Sequence, residues 1–496
     1  MENNGIPSNV SRQHLVVNDE PADNISGDDK GVEVMEDRRV SRKEWVTVVV
    51  LCFVNLINYM DRTTIPGILS DIQTEFHLGN DQSGLLQTAF IISYMIFAPL
   101  FGYLGDRYNR KIIMSAGVFL WCLTTLIGSY MKTYEWFLIF RMCVGIGEAS
   151  YSTIAPTIIS DLFVKDTRSK MLALFYFAIP VGSGLGYIIG GQVAVATGQW
   201  QWGLRITPAL GLIAIALILL FVRDPVRGER EGGSHIASTT WGNDIRALIK
   251  NPSFMLSTAG FTCVAFVAGA LALWAPKFLE LGLKLQKEKT LVVDDISFVF
   301  GGIAMLAGLI GVPVGSIMAQ RMRIRWHQAD PLICGIGLLV SAPMIFFAIV
   351  TSSGNSIVCF VLIFLGQLAL NLNWSIVADM LLYVVIPTRR STAEAFQILV
   401  AHALGDAGSP YLIGVMSEGL RPYLLAPGEP TNDYVDFKCL QYSLFLTIFV
   451  EVLGALFFFL TALHIEKDKA LVDLTIAANQ KCLETKKIGE AESTRL

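Results

Sequence analysis

The sequence predicts an all-α integral membrane protein of about twelve transmembrane helices, arranged as two six-helix halves. Three observations carry that prediction. Of the 496 residues, 53% are hydrophobic and only 16% charged, against about 25% charged in soluble globular chains, so lipid takes the place of water over much of the surface. Apolar runs of spanning length recur from residue 45 to residue 464. Charged residues collect between those runs, because hydrocarbon excludes ionised groups that have no partner.

The opening segment, residues 1–44, is polar and rich in Asn, Asp, Ser and Gly. It cannot bury an apolar face and is expected to be a disordered tail. Asn9 and Asn24 lie there in glycosylation sequons, which a cytosolic tail would leave unused. The chain shows no cleavable signal peptide at its start. The first half, 45–222, carries apolar runs near 45–68, 83–105, 111–131, 134–160, 170–195 and 202–222. The stretch 223–253, with Arg223, Asp224, Arg227, Glu229, Arg230 and Glu231, reads as a solvated cytosolic linker. The second half, 254–465, repeats the pattern near 254–276, 296–319, 330–350, 355–379, 394–416 and 441–464, and 466–496 is a polar tail.

Basic residues alternate between the loops. Arg38, Arg39, Arg42 and Lys43 precede the first run, Arg107, Arg110 and Lys111 follow the second, and Lys165, Arg168 and Lys170 follow the fourth. Arg321, Arg323 and Arg325 follow the eighth, and Arg389 and Arg390 the tenth. The first opposite loop, around Asp71, Glu75 and Asp81, has none, although the loop 277–295 departs from the pattern with four lysines and four acids. The excess of positive charge places both termini in the cytosol.

The halves resemble each other. Asp161 leaves the fourth run and is followed by Thr167-Arg168-Ser169 and Phe175; Asp379 leaves the tenth and is followed by Thr388-Arg389-Arg390-Ser391 and Phe396. An internal repeat of this kind is a transporter architecture, with the binding site near the midplane between the halves.

Other functions are excluded by what is missing. A net charge of −4 offers nothing to a nucleic acid. The eight cysteines form no CxxC pair and no metal-ligand spacing, and most sit in apolar runs as small filler. The sequence has no phosphate-binding loop, no metal-spaced His/Cys cluster and no nucleophile elbow, which argues against an enzyme, an ATP-driven pump, a metal or a cofactor.

Polar residues within the runs mark a pathway. In the first run, Asn55, Asn58 and Arg62 fall at helical spacing, with Asp61 beside them, so one helix face is polar at span depth and should line a cavity. In the fourth, Arg141 and Glu148 stand two turns apart on one face, and Gly145 and Gly147 let a neighbouring helix approach. In the fifth, Pro180 and the glycines from Gly182 to Gly191 suit a bend or close packing. In the eleventh, His402 and Asp406 are one turn apart and can interact. After the second run comes Gly102-Tyr-Leu-Gly105-Asp106-Arg107-Tyr-Asn-Arg110-Lys111, with a degraded echo at Gly315–Arg321 that lacks the acid.

That loop resembles the signature of the major facilitator superfamily, with Asn109 where Gly is usual; Asn tolerates the same left-handed backbone. Gly102, Asp106, Arg107 and Arg110 would then take part in gating, Asp106 meeting a helix N-terminus of the other half, and Pro180 and Gly182 would belong to the superfamily's glycine-rich fifth-helix motif. Three longer strings, Asn58-Tyr-Met-Asp61-Arg62, Gly145-Ile-Gly-Glu148-Ala-Ser-Tyr151-Ser-Thr-Ile-Ala-Pro156 and Leu404-Gly-Asp406-Ala-Gly-Ser-Pro-Tyr-Leu-Ile-Gly414, resemble the Spinster branch of that superfamily. The resemblance implies a carrier of lysophospholipids or of sphingolipids such as sphingosine 1-phosphate, acting at the late endosome or lysosome, with the plasma membrane as the alternative. It implies Asp61, Glu148 and His402 as proton-coupling groups. It implies Arg62 and Arg141 as their partners or as contacts for an anionic headgroup, with Asn58, Tyr151 and Asp406 beside them. Two other readings stay open at this point: a carrier of small organic anions or sugars, and a lipid sensor that has the transporter fold without transport. The partners expected are a lipid substrate, protons and membrane lipids.

Overall fold

The structure is a computed structural model. It describes residues 40–163, 165–225, 241–286, 296–386, 389–425 and 432–493. The expected disordered tail with Asn9 and Asn24, most of the linker's charged run, the lysines of 287–295 and the side chain of Asp106 lie outside the described residues.

The first half opens with α1 (Arg42–Gly67), which begins before the expected boundary because Ser41 and Glu44 form a capping box that satisfies two amide groups of the first turn. A short α2 (Leu69–Phe76) follows and ends at His77 in the left-handed conformation. Then come α3 (Asn80–Arg107), α4 (Arg110–Gly128), α5 (Tyr134–Leu162), α6 (Lys165–Thr197) and α7 (Gln201–Phe221). The expected linker contains a helix, α8 (Trp241–Ile249). It is not merely solvated: Leu248 is buried, and Asp244 accepts from Arg389 at 2.7 Å. The second half comprises α9 (Pro252–Lys284), α10 (Ile296–Arg323), α11 (Ala329–Thr351), α12 (Ser356–Asn371) running on into α13 (Asn373–Val384), α14 (Arg390–Ala401), a π-helical turn at His402–Asp406, α15 (Gly408–Leu424) and α16 (Asp433–Ser493).

Eleven helical segments are long and apolar enough to cross a membrane. The remaining spanning helix is α5, whose hydropathy is diluted by Arg141, Glu148 and a run of Ser, Thr and Tyr. Charge inside hydrocarbon is the feature that marks function, so the span that looks least like one is the one to read first.

The packing repeats with the sequence. In the first half α1 packs on α6 and α7, α3 and α4 on α5, and α4 on α7. In the second, α9 packs on α16 and on the π-helical turn, α10 and α11 on α12, and α11 on α16. Each contact of one half thus has its counterpart in the other. The halves meet where α6 packs on α10 and α3 on α15, again a matched pair. Glycines make the approach possible: a Cβ on Gly184 would lie 2.7 Å from the Gly301 carbonyl oxygen, and one on Gly308 would lie 2.7 Å from Pro180 Cβ. Pro180 therefore packs against the opposite half, while Gly182 lets the α1 backbone at Leu56 come close.

The repeated acids are used alike. At the end of the bundle where α1 begins, Asp161 pairs with Arg110, and Asp379 receives Arg323 at 3.4 Å. Arg323 also bonds Asp330 at 2.7 Å, and the Tyr383 hydroxyl donates to Asp330 at 2.7 Å.

At the other end the halves are bolted together through Asn80, the first residue of α3. Its amide N–H donates to Glu418 Oε1 at 2.7 Å, and its side-chain Nδ2 donates to Ser417 Oγ at 2.9 Å, both in α15. Its Oδ1 accepts from Lys277 of α9 at 2.7 Å and from Gln73 of α2 at 3.1 Å. Ser70 of α2 donates to Glu280 of α9, and Ser297 of α10 to the Gly67 carbonyl at 2.8 Å. A carboxylate on the first amide of a helix is favourable twice over, through the hydrogen bond and through the helix dipole.

Candidate functional site

The polar stripe of α1 faces α5 near the middle of the membrane-spanning bundle. Asn55 is spent on structure, donating to the Phe175 carbonyl of α6 at 2.9 Å. Asn58 is fully buried, and neither polar atom of its side chain has a partner. Below it the two charged pairs form crosswise between α1 and α5. Arg62 Nε bonds Glu148 Oε2 at 2.7 Å, and Arg141 Nη1 meets Asp61 Oδ2 at 3.3 Å. Two acids and two arginines leave the cluster neutral, the condition on which charge is tolerated in a low dielectric.

Neighbouring helices complete the cage. Thr207 of α7 donates to Asp61 Oδ1 at 2.5 Å. The ring of Phe90 in α3 lies 4.3 Å from the Arg141 guanidinium and 5.5 Å from that of Arg62. Tyr59 and Tyr94 lie on Arg62 at 4.8 Å each. Cation–π contacts of this kind stabilise a desolvated guanidinium by up to about 2 kcal/mol.

Access separates the two pairs. The side chains of Asp61 and Arg141 are 0% and 3% exposed, a sealed pair, whereas Arg62 keeps 16% of its side chain open while its partner Glu148 keeps none. Arg62 thus borders an accessible space, with Glu148 directly behind it. Arg62 Nη2 and Glu148 Oε1 are left without partners.

The second half reaches the same place through the π-helical turn. His402 Nδ1 lies 2.9 Å from Asp406, both side chains about a quarter exposed. The His402 ring meets Tyr94 edge-on at 6.0 Å, and the Tyr94 hydroxyl accepts from Ser152 of α5 at 2.9 Å. Tyr94 therefore touches Arg62 on one side and His402 on the other, linking groups that stand on opposite halves. Nothing in the spacing of a lone tyrosine in the second run signals this. Thr207 and Phe90 are equally silent in the sequence, because hydroxyls and rings are ordinary in apolar runs.

The other expected site residues are placed as follows. Tyr151 is fully buried, and its hydroxyl donates to the Leu51 carbonyl, tying α5 to α1. Arg107 stacks on Tyr103 at 4.3 Å. Arg110 joins the loop to Asp161, to the Gly105 carbonyl and, through its amide, to Asp224 at 3.1 Å. Gly102 has open space where a side chain would stand.

The model for the Major Facilitator Superfamily matches residues 51–409. Protein spinster of Drosophila melanogaster is 57% identical over 474 residues, covering 87% of this chain and 78% of that protein. Protein spinster homolog 1 of Homo sapiens is 51% identical over 440 residues, covering 86% and 82%. The chain belongs to the Spinster family. Among solved structures, a bacterial homolog of the human lysosomal transporter Spinster, in an inward-facing and unoccupied conformation, superposes with a TM-score of 0.75 at 22% identity, covering 86% of this chain and 99% of that one. The xylose transporter XylE of E. coli does so at 0.62 with 17% identity. As a Spinster-family member of the major facilitator fold, the chain is a multi-pass membrane transporter and not an enzyme.

One consequence of the cage is open to measurement. Thr207→Val keeps the shape and removes the hydroxyl donor of Asp61, at a cost of about 1.5–3 kcal/mol for a hydrogen bond to a charged group. Thermal melting in detergent is expected to show the loss, and Thr207→Ser to restore it.

Proposed function

We propose that this Spinster-family protein is a secondary active carrier that moves a lysophospholipid or a sphingolipid, of the sphingosine 1-phosphate kind, across a membrane by alternating access coupled to protons. The observation that carries the reading is Arg62: a guanidinium held near mid-span by rings and one carboxylate, open on one side, and facing the His402–Asp406 pair of the other half through Tyr94. A phosphate can take two hydrogen bonds from such a guanidinium. Asp406 offers an acceptor for the amine or hydroxyl groups of a headgroup, and the apolar helix walls suit a single acyl chain.

Proton coupling follows from competition. A phosphate that takes Arg62 removes the charge partner of Glu148, and a buried carboxylate without its partner is stabilised by taking up a proton. Release of the lipid restores the pair and expels the proton. Asp61, sealed between Arg141 and Thr207, keeps the second pair in place, and its partner Arg141 is the less accessible of the two arginines. His402 is the second half's candidate for proton exchange. Loop charge supports cytosolic termini, and family likeness supports a late endosomal or lysosomal membrane.

The test is flux in proteoliposomes. Lysolipid uptake driven by a pH gradient is expected in the parent protein, with Glu148→Gln abolishing the pH response and Asp61→Asn weakening transport. Transport of sugars or organic anions in place of lysolipid would overturn the substrate class. Ligand-dependent melting without flux would overturn transport itself.

A further inference from the structure

Glu451 lies in α16, in the middle of the apolar run 441–464, and takes no part in the site described above. It is fully buried. Its Oε1 stands 2.8 Å from the Ser341 hydroxyl of α11, and its Oε2 has no partner. The same Ser341 hydroxyl lies 3.0 Å from the Gly366 carbonyl of α12. Among the described residues no ion pair reaches the carboxyl, and Ser341 gives it its hydrogen bond. Close by in α16, Gly454 packs against Cys263 of α9 and Leu338 of α11.

The hydrogens decide the chemical form. A serine hydroxyl owns one hydrogen and here faces two acceptors. If Glu451 were a carboxylate, Ser341 would give it one hydrogen bond and the charge would be otherwise bare in hydrocarbon, far from the paired condition of Asp61 and Glu148. If Glu451 is a carboxylic acid, its O–H donates to Ser341 Oγ, and the Ser341 hydroxyl donates onward to the Gly366 carbonyl. One carbonyl oxygen is then left over, a small loss beside an unpaired buried charge.

We propose that Glu451 is a further proton-binding site of the chain, occupied by a proton that is kept throughout the transport cycle and that joins α16 to α11 and α12. Its permanence has a geometric ground. Its hydrogen-bond partner Ser341 and the helices that α16 packs on among the described residues, α9, α11, α13 and α15, belong to the second half, and alternating access moves one half against the other with little change inside either. The Arg62–Tyr94–His402 contacts cross between the halves and do not share that protection. The protonated form of Glu451 does not depend on the transport reading; its constancy through the cycle does.

Infrared difference spectroscopy of the purified protein in detergent reads the first point without transport. Parent minus Glu451→Gln is expected to show the C=O stretch of one carboxylic acid, unchanged from pH 5 to pH 7, and Ser341→Ala is expected to shift that band upward as its hydrogen bond is lost. Absence of the band, or a carboxylate band in its place, would overturn the proposal. The Ser341→Ala shift decides the question if the glutamine variant does not fold. For the second point, flux across the same pH range is expected to keep the parent profile in Glu451→Gln. A displaced profile with the band present would leave the protonated acid standing and overturn its constancy; loss of all flux in the parent would bear on the transport reading alone.

Discussion

Arg62→Ala is expected to abolish lysolipid flux and to lower the stability of the folded protein by about 3–5 kcal/mol, the cost of stripping one partner from a buried ion pair. The size of the effect comes from Glu148, which has no exposed surface and no other cation bonded to it among the described residues. Glu148→Gln should cost less, because Arg62 keeps the faces of Tyr59, Phe90 and Tyr94 and its opening to the accessible space. The double variant Arg62→Met, Glu148→Leu separates folding from function. An apolar pair of similar volume often restores or exceeds the stability of a buried ion pair, so melting should recover while flux does not. Flux that survives in Arg62→Ala would remove the guanidinium from the mechanism.

Asn80→Ala is expected to open the end of the bundle opposite the termini. The side chain holds Ser417, Lys277 and Gln73 together, and the residue's backbone holds Glu418. Loss of the side-chain bonds, one of them to a charged group, amounts to about 3 kcal/mol, which shifts the closed-to-open ratio about a hundredfold. The change would be read as a faster rate of maleimide labelling at a cysteine introduced at Thr88, a buried α3 position whose hydroxyl bonds the Ala407 carbonyl of the other half. Glu418→Gln keeps the acceptor at the α3 N-terminus and loses only its charge, so a smaller shift of the same sign is expected. Labelling that does not change in Asn80→Ala would show that the polar hub is not what keeps this end shut.

Much of the architecture was legible before any coordinates, because a bilayer sets both the length and the polarity of each element. The helices fall close to the apolar runs, and the repeat that begins at Asp161 and Asp379 reappears as matched packing and matched arginine partners. The chemistry of the charged cluster was legible in kind, since acids and arginines at span depth must pair. Which arginine takes which acid was not. Asp61 and Arg62 are neighbours in sequence yet point to different partners on α5, and that choice depends on how two helices cross. The polar hub at Asn80 was hidden because each of its residues looks like ordinary loop-edge polarity. Glu451 did leave a trace, as the one acid within the final apolar run at 441–464, and the cost of placing a carboxyl there would have flagged it.

The π-helical turn at His402–Asp406 has a bearing on how this span came to face two ways. A turn of that kind holds one residue more than an α-helical turn, and one residue rotates a helix by about 100°. The segment from Arg390 to Ala401 and the segment from Gly408 to Leu424 are therefore two stripes spliced out of phase. Wound as a plain α-helix, the same residues would swing one stripe by that angle and carry either the linker-facing residues or the hub-facing ones toward lipid; the wider turn takes up the extra residue and lets both stripes keep their faces.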